Sequence, residues 1–134
     1  AVIVGIICDG KLLITRYSAS PYGYRGPALV AGYCAPGETF EETCIREARE
    51  ETNLELKGPF HYFASQPWGL SNSLLAGFFV RATKRRKIKL NDHELAEATW
   101  FTPEECQALL PPEGAFSLTM QMIQAFSKGE IPNF

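Results

Sequence analysis

The apolar and polar positions along the chain alternate in ways that predict a series of β-strands. Residues 1–8 form a nearly continuous apolar run, Asp9-Gly10 is a strong two-residue hairpin signal, and residues 11–17 return as a second strand. The remaining predicted segments are strands over residues 28–33, 54–65, 73–83 and 94–101 and connecting loops over residues 18–27 and 66–72.

The segment from about residue 39 to residue 52 has the period of an amphipathic helix. Thr39 and Glu42 form a capping box at its start, and Asn53 can adopt the left-handed conformation that often follows a helix. The side chains expected to face the core from this helix are Cys44, Ile45, Ala48 and Thr52.

Two further helices are predicted near the end of the chain. Thr102-Pro103 is a helix start, with a hydroxyl N-cap followed by proline at the first helical position, and this short helix stops near Pro111. The last helix is predicted over residues 115–127. Its apolar stripe is expected to pack in the core and consists of Phe116, Met120, Ile123 and Phe126.

Strands interspersed with helices predict an α/β fold, specifically an α/β/α sandwich around a mixed β-sheet. The length of 134 residues is enough for one domain with a substantial core but not for two. No repeat, low-complexity segment or linker divides the sequence. We therefore expect residues 1–134 to form a single domain.

The composition narrows the classes of function. A hydrophobic content of 46% and a charged content of 21% are ordinary for a globular protein, and a net charge of −2 gives no general attraction to nucleic acids or anionic membranes. No apolar run reaches the length of a membrane-spanning helix. The four cysteines form no C-x-x-C pair, so no zinc is expected, and reduced cysteines favour a cytoplasmic protein.

Three carboxylates lie close together on the first predicted helix. At about 100° per residue, Glu47, Glu50 and Glu51 fall within an arc of roughly 100°. Like charges at this spacing repel each other unless a cation lies between them, and Mg²⁺ or Mn²⁺ with oxygen ligands meets that need. The alternative interpretation is an ordinary solvated acidic face of a surface helix.

The spacing around these carboxylates resembles the signature of the Nudix hydrolases, G-x5-E-x7-R-E-U-x-E-E-x-G-U with U aliphatic or small. Gly32, Glu38 and the run from Arg46 to Glu51 match it, and Asn53 stands where the signature has glycine. The resemblance implies the sandwich fold predicted above and metal-assisted attack of water on a phosphoanhydride. It also implies a supporting role for Gly32, Glu38 and Arg46, in which the arginine braces the catalytic loop and helix through Glu38.

Most of the chain is similar to one branch of this family, the NADH pyrophosphatases. That branch carries S-Q-P-W-P-F-P-x-S after the signature, and residues 69–71 replace its Pro-Phe-Pro core here. Residues 94–101 are similar to its segment E-[LI]-x-x-A-x-W-[FY]. The residues that match the first motif are Ser65, Gln66, Pro67, Trp68 and Ser73.

The similarity to this branch implies a set of site residues. Glu94 and the backbone carbonyl of Ala31 would join the helix carboxylates on the metal, and Tyr33 would stack on the nicotinamide ring. Either Glu50 or Glu51 could act as the base. The implied metal-binding side chains are Glu47, Glu50, Glu51 and Glu94, and the implied substrate contacts, some of them across a dimer interface, are Gln66, Pro67, Trp68, Ser73 and Ser117.

These features predict a Mg²⁺- or Mn²⁺-dependent hydrolase that splits NADH or NAD⁺ into nicotinamide mononucleotide and AMP. The rivals are hydrolysis of another nucleoside diphosphate derivative, such as ADP-ribose, and a non-catalytic nucleotide-sensing domain. The resemblance also implies a homodimer, although the zinc ribbon usual upstream in this branch is absent from the chain. The basic residues at 84–89 are a candidate contact for NAD-capped RNA, with a solvated hairpin turn as the plainer interpretation.

Overall fold

The structure is a computed structural model that describes residues 1–17, 26–68, 72–83, 88 and 95–131. None of the helices in these ranges is long and apolar enough to cross a membrane. The elements, in chain order, are β1 (Val2–Cys8), β2 (Lys11–Tyr17), β3 (Val30–Gly32), α1 (Phe40–Thr52), β4 (Leu56–Trp68), β5 (Ser73–Ala82), β6 (Leu95–Phe101), α2 (Pro103–Gln107) and α3 (Leu118–Ser127).

The described strands form one mixed sheet with β1 at its centre. The strand order is β4-β5-β1-β2-β6, and β3 pairs with the first residues of β1. β1 runs parallel to β5 and antiparallel to β2 and β3. Between β1 and β2, φ is 51° at Asp9 and 75° at Gly10. A type I′ turn requires positive φ at both central residues, so the predicted hairpin is confirmed.

The side chains of β1 alternate between two apolar cores. Val2 and Val4 are fully buried in one cluster with Cys44 and Ala48 of α1. Ile3 points to the opposite face and joins a second cluster that α2 and α3 cover. Other members of this second cluster are Leu12, Ile14, Phe79, Cys106, Met122 and Ile123. Helices therefore cover both faces of the sheet, and the predicted α/β/α sandwich is confirmed.

The predicted ends of α1 and the start of α2 are also confirmed. Thr39 is the N-cap of α1 and forms a capping box with Glu42, while Asn53 follows the helix with φ of 64°. Thr102 caps α2 in the same way together with Glu105. These side-chain contacts satisfy N–H groups that the helix itself leaves without partners. Local sequence is therefore enough to predict where these helices begin.

The boundary between strand and loop after β4 was predicted wrongly. Residues 66–68 were expected in a loop, but Pro67 and Trp68 continue β4 and pair with Leu74 and Ser73 of β5. Proline lacks the N–H that an inner strand must donate, but β4 is the outermost of the described strands and has a partner on one side. Pairing across the sheet therefore overrides the local preference for a turn.

The start of the last helix was also predicted wrongly. α3 begins at Leu118, and the hydroxyl of Ser117 caps it by accepting a hydrogen bond from the N–H of Met120. Phe116 therefore precedes the helix, and it is 71% exposed instead of buried. Ile123 and Phe126 do pack in the core as expected.

We expect Gly5→Ala to lower the free energy of unfolding, measured by urea denaturation, by about 1–3 kcal/mol. A Cβ at Gly5 would lie 2.5 Å from Cδ1 of Phe79, a fully buried ring that has little room to move. Gly77→Ala is the matched control, because its Cβ would lie 2.7 Å from the Sδ of Met122, a flexible thioether. An equal or larger loss for Gly77→Ala would contradict this account.

Candidate active site

Arg46 connects the loop after β3 to three carboxylates of the candidate site. Its Nε donates to Oε2 of Glu38 at 2.7 Å, and its Nη2 donates to Oε1 of Glu38 at 2.9 Å and to the backbone carbonyl of Tyr33 at 2.9 Å. Its Nη1 donates to Glu47 at 2.8 Å and to Glu50 at 3.2 Å. A single guanidinium on α1 thus fixes both the loop and two of the predicted metal ligands.

The carboxylate of Glu38 is held in its charged form. Besides the two bonds from Arg46, its Oε1 accepts the backbone N–H of Ala35 at 2.8 Å and the hydroxyl of Thr43 at 3.0 Å. The bond from Arg46, followed by that from Ala35, lowers the pKa of Glu38 to about 2. In turn the pKa of Arg46 is raised, chiefly by its hydrogen bond to Glu38. Both groups are therefore ionised at neutral pH.

Gly32 at the end of β3 lies directly against the carboxylate of Glu47. A Cβ built at Gly32 would overlap that carboxylate, so only glycine leaves room for Glu47 in this position. The Glu47 side chain is 13% exposed. Ala31, the neighbour of Gly32 in β3, pairs with Ile3 of β1.

The three helix carboxylates, expected on one face, differ in their surroundings. Glu50 is 57% exposed at its side chain, whereas Glu51 is buried, with 3% of its surface exposed. Ile45, expected in the core, is half-buried, and Thr43 is fully buried instead. The helical wheel gave the angular order of these residues, but it could not show how closely the sheet approaches each of them.

The donor chemistry fits a hard divalent cation, because every predicted ligand offers oxygen. Among the residues that the structure describes, no three Asp, Glu, His or Cys side chains come together as a group that could hold a metal ion. Glu47 and Glu50 bind Arg46 instead. Glu94, the remaining predicted ligand, lies outside the described residues.

The predicted substrate contacts lie at two places. Tyr33 follows β3 directly and is 58% exposed. Gln66 of β4 joins the start of α3, because its Nε2 donates to the carbonyl of Phe116 at 3.0 Å and its Oε1 accepts the N–H of Leu118 at 2.9 Å. Ser117 caps the same helix. The polar groups of Gln66 and Ser117 thus already have partners within the protein.

The remaining predicted contacts lie at the paired ends of β4 and β5. Pro67 is exposed, and Trp68 and Ser73 are half-buried neighbours across the two strands. Residues 69–71, where the chain departs from the expected motif, lie outside the described residues, as do the basic residues at 84–87 and 89. Their predicted roles stay predictions.

Thr43 is a site residue that the sequence analysis missed. It is fully buried and donates its hydroxyl to Glu38. A signal was available, because Thr43 precedes Arg46 by three residues and positions three apart share a helix face. A side chain on the same helix face as Arg46 is also close to Glu38, the carboxylate that Arg46 binds.

Known proteins are similar to this chain along most of its length. A family model described as the NUDIX domain matches residues 1–120. The NAD-capped RNA hydrolase NudC of Actinobacillus succinogenes is 35% identical over 123 residues, which are 90% of this chain and 46% of that protein. NudC of Mycobacterium bovis is 36% identical over 110 residues, which are 81% of this chain and 34% of that protein. The chain therefore spans less than half the length of these relatives.

Solved structures resemble the fold as a whole. A NUDIX-family hydrolase from Clostridium perfringens superposes with a TM-score of 0.72, covering 95% of this chain and 94% of that one. Its sequence identity is 16%, so this likeness concerns the fold alone.

We expect Glu38→Gln to destabilise the protein at neutral pH, and we expect the difference from wild type to shrink as the pH falls from 4.5 towards 2. The pKa of Glu38 is lowered on folding from its ordinary value of 4.5 to about 2. Its contribution is thus fully present above pH 4.5 and is lost as the pH falls through the folded value.

Urea denaturation of both proteins at several pH values measures this difference. Glu41→Gln, which removes an exposed carboxylate from the same helix, controls at neutral pH for the loss of one charge. A difference between wild type and Glu38→Gln that stays constant down to the lowest pH tested would contradict the assignment.

Proposed function

The chain belongs to the Nudix hydrolase family, and from that premise we propose that it cleaves the diphosphate bond of NADH or NAD⁺ to give nicotinamide mononucleotide and AMP. The observation that carries the proposal is the 35% identity, over 90% of the chain, to a hydrolase whose name specifies an NAD-capped substrate. The hydrogen-bonded group of Arg46, Glu38, Glu47 and Glu50 supports it, because it presents a negatively charged site beside β3.

The proposed cofactor is Mg²⁺ or Mn²⁺, as is general among Nudix hydrolases. The ligands would be the carboxylates of Glu47, Glu50, Glu51 and Glu94 and the backbone carbonyl of Ala31. When bound, the ion would neutralise charge on the phosphate oxygens and activate water as a nucleophile. Glu47 and Glu50 would then exchange part of their contact with Arg46 for the ion, while Glu38 keeps the guanidinium in place.

Glu50 and Glu51 are the two candidates for the general base, and their surroundings suit different roles. Glu50 is exposed and already bound by Arg46, so solvent screens its charge. Glu51 is almost fully buried where α1 packs on the sheet, and burial restricts its side chain to few positions. A base must lie within hydrogen-bond reach of the attacking water, and a fixed side chain meets that demand without further ordering. We therefore assign the base to Glu51.

The substrate residues proposed are Tyr33, Gln66, Pro67, Trp68, Ser73 and Ser117. Tyr33 has the exposed ring that stacking on a nicotinamide requires, and it adjoins Gly32 in the chain. Trp68 can supply a second apolar wall. Because Gln66 and Ser117 both organise the first turn of α3, their proposed contacts with substrate would extend an existing hydrogen-bond network.

Two related substrates stand beside free NADH. The names of the curated relatives favour NAD-capped RNA, in which the same diphosphate would be cleaved. ADP-ribose keeps the diphosphate but lacks the nicotinamide ring. A homodimer and a cytoplasmic location remain part of the proposal. The non-catalytic alternative is set aside, because the chain is a Nudix hydrolase whose relatives are named as hydrolases.

We expect NADH to be hydrolysed with a kcat/KM at least about tenfold above that for ADP-ribose, because ADP-ribose has no nicotinamide ring to stack on Tyr33. The rate is measured chromatographically with Mg²⁺ or Mn²⁺ and a chelator control, as AMP formed from NADH and ADP-ribose and as nicotinamide mononucleotide released from capped RNA. An RNA carrying a 5′ NAD cap is the third arm. Equal or faster turnover of ADP-ribose would assign the chain to a different substrate class.

We expect Glu51→Gln to lower kcat, at saturating Mg²⁺ or Mn²⁺, by at least about a thousandfold, because the amide can neither accept a proton from water nor offer the ion a charged ligand. Its thermal unfolding midpoint should stay within a few degrees of wild type. Glu41→Gln makes the same chemical change at an exposed position on the first turn of α1 and should leave kcat unchanged. If Glu51→Gln keeps most of its activity, Glu51 is not the base.

A further inference from the structure

The hydroxyl of Thr43 makes a contact that its place in the helix does not require. Thr43 is fully buried near the start of α1, and its Oγ1 lies 2.9 Å from the carbonyl of Thr39, as is common for threonine within helices. The same Oγ1 lies 3.0 Å from Oε1 of Glu38, a residue of the preceding loop. The single hydroxyl proton is thus shared between the helix and a charged acceptor.

This contact bears on how Glu38 grips Arg46. Oε1 of Glu38 accepts from Ala35 in the loop, from Thr43 in the helix and from Nη2 of Arg46, whereas Oε2 accepts from Nε of Arg46. Ala35 and Thr43 hold Oε1 from two different chain segments. With Oε1 fixed, rotation of the carboxylate about its own bond is restricted, and both oxygens stay aligned with the planar guanidinium.

We propose that Thr43 is a positioning residue of the hydrolytic site, acting through Glu38 and Arg46 on the carboxylates of Glu47 and Glu50. The inference rests on the proposed function for its effect on catalysis, but the contact itself is independent of the substrate. Without the hydroxyl, Glu38 is less constrained, Arg46 varies more in position, and the carboxylates that Arg46 binds are less well aimed. Partners that orient metal ligands in this indirect way commonly affect activity by about 10–100-fold.

The chain contains a matched control for the structural part of this role. Thr52 is also fully buried in α1, and its hydroxyl donates to the carbonyl of Ala48 at 2.6 Å, four residues back as for Thr43 and Thr39. Thr52 has no contact with Glu38 among those described. Replacing either threonine by valine removes a buried hydroxyl that donates to the carbonyl four residues back. Only Thr43→Val also removes the hydrogen bond to the carboxylate of Glu38.

The first experiment compares steady-state hydrolysis of NADH by wild type, Thr43→Val, Thr43→Ser and Thr52→Val at fixed Mg²⁺ or Mn²⁺. We expect Thr43→Val to lower kcat by about tenfold with little change in KM. Thr43→Ser retains the hydroxyl and should restore kcat to within about threefold of wild type, and Thr52→Val should stay within about twofold. In a Glu38→Gln background, Thr43→Val should have less than about a twofold further effect, because its acceptor is already altered.

The second experiment needs no activity. In ¹⁵N NMR spectra, the Nε–H of Arg46, assigned by its loss in Arg46→Lys, reports directly on the bond to Glu38. We expect its exchange with solvent to be at least about fivefold faster in Thr43→Val than in wild type and unchanged in Thr52→Val. The thermal unfolding midpoints of both valine variants measure the loss of stability that results from removing a buried hydroxyl from α1.

The outcomes separate the two ideas. If wild type fails to hydrolyse NADH, the proposed function fails, while the exchange of the Arg46 Nε–H still tests Thr43. If Thr43→Val matches Thr52→Val in both kcat and exchange, the positioning role is overturned, whatever the substrate proves to be. Failure of Thr43→Ser to recover activity would likewise contradict a role for the hydroxyl.

Discussion

The ion pair between Arg46 and Glu38 is the interaction on which the candidate site depends. It joins a loop residue to α1 through two charge-assisted hydrogen bonds of 2.7 and 2.9 Å, the bidentate geometry that a planar guanidinium favours. The same guanidinium binds the Tyr33 carbonyl, Glu47 and Glu50. The position of the loop and the direction of the helix carboxylates therefore share one cause.

This arrangement leaves the site with an excess of negative charge. Arg46 carries one positive charge and contacts three carboxylates, those of Glu38, Glu47 and Glu50. Glu51, which follows Glu50 in the sequence, adds a further carboxyl group and is buried. A site of this kind attracts cations more strongly than a balanced ion-pair network would. It also explains why the arginine is needed, since carboxylates at helical spacing repel each other in its absence.

The sheet supplies the rigid surroundings that such a site requires. β3, which carries Ala31 and Gly32, is paired with the central strand β1, and α1 packs on the same strand through Cys44 and Ala48. Gln66 ties β4 to the start of α3, so two of the proposed substrate residues, Gln66 and Ser117, are held on a strand and at the start of a helix. Regular strands and helices hold functional groups more precisely than loops do.

The sequence by itself determined the features that arise from local contacts and from fixed spacing. The hairpin at Asp9, the capping box at Thr39 and the left-handed Asn53 each follow from a few neighbouring residues, and hydrophobic periodicity gave the strands and the sandwich. The spacing from Gly32 to Glu51 gave the family. The sequence did not determine the features that depend on contacts between segments far apart in the chain.

Only the tertiary structure decided that Pro67 and Trp68 continue β4, since this depends on pairing with β5. It also decided that Thr43 and Glu51 are buried and that Phe116 is exposed. Burial depends on which element packs against a residue, and periodicity along one helix carries no information about that neighbour. For the same reason the hydrogen bond from Thr43 to Glu38, which crosses from helix to loop, could be recognised only once both were in place.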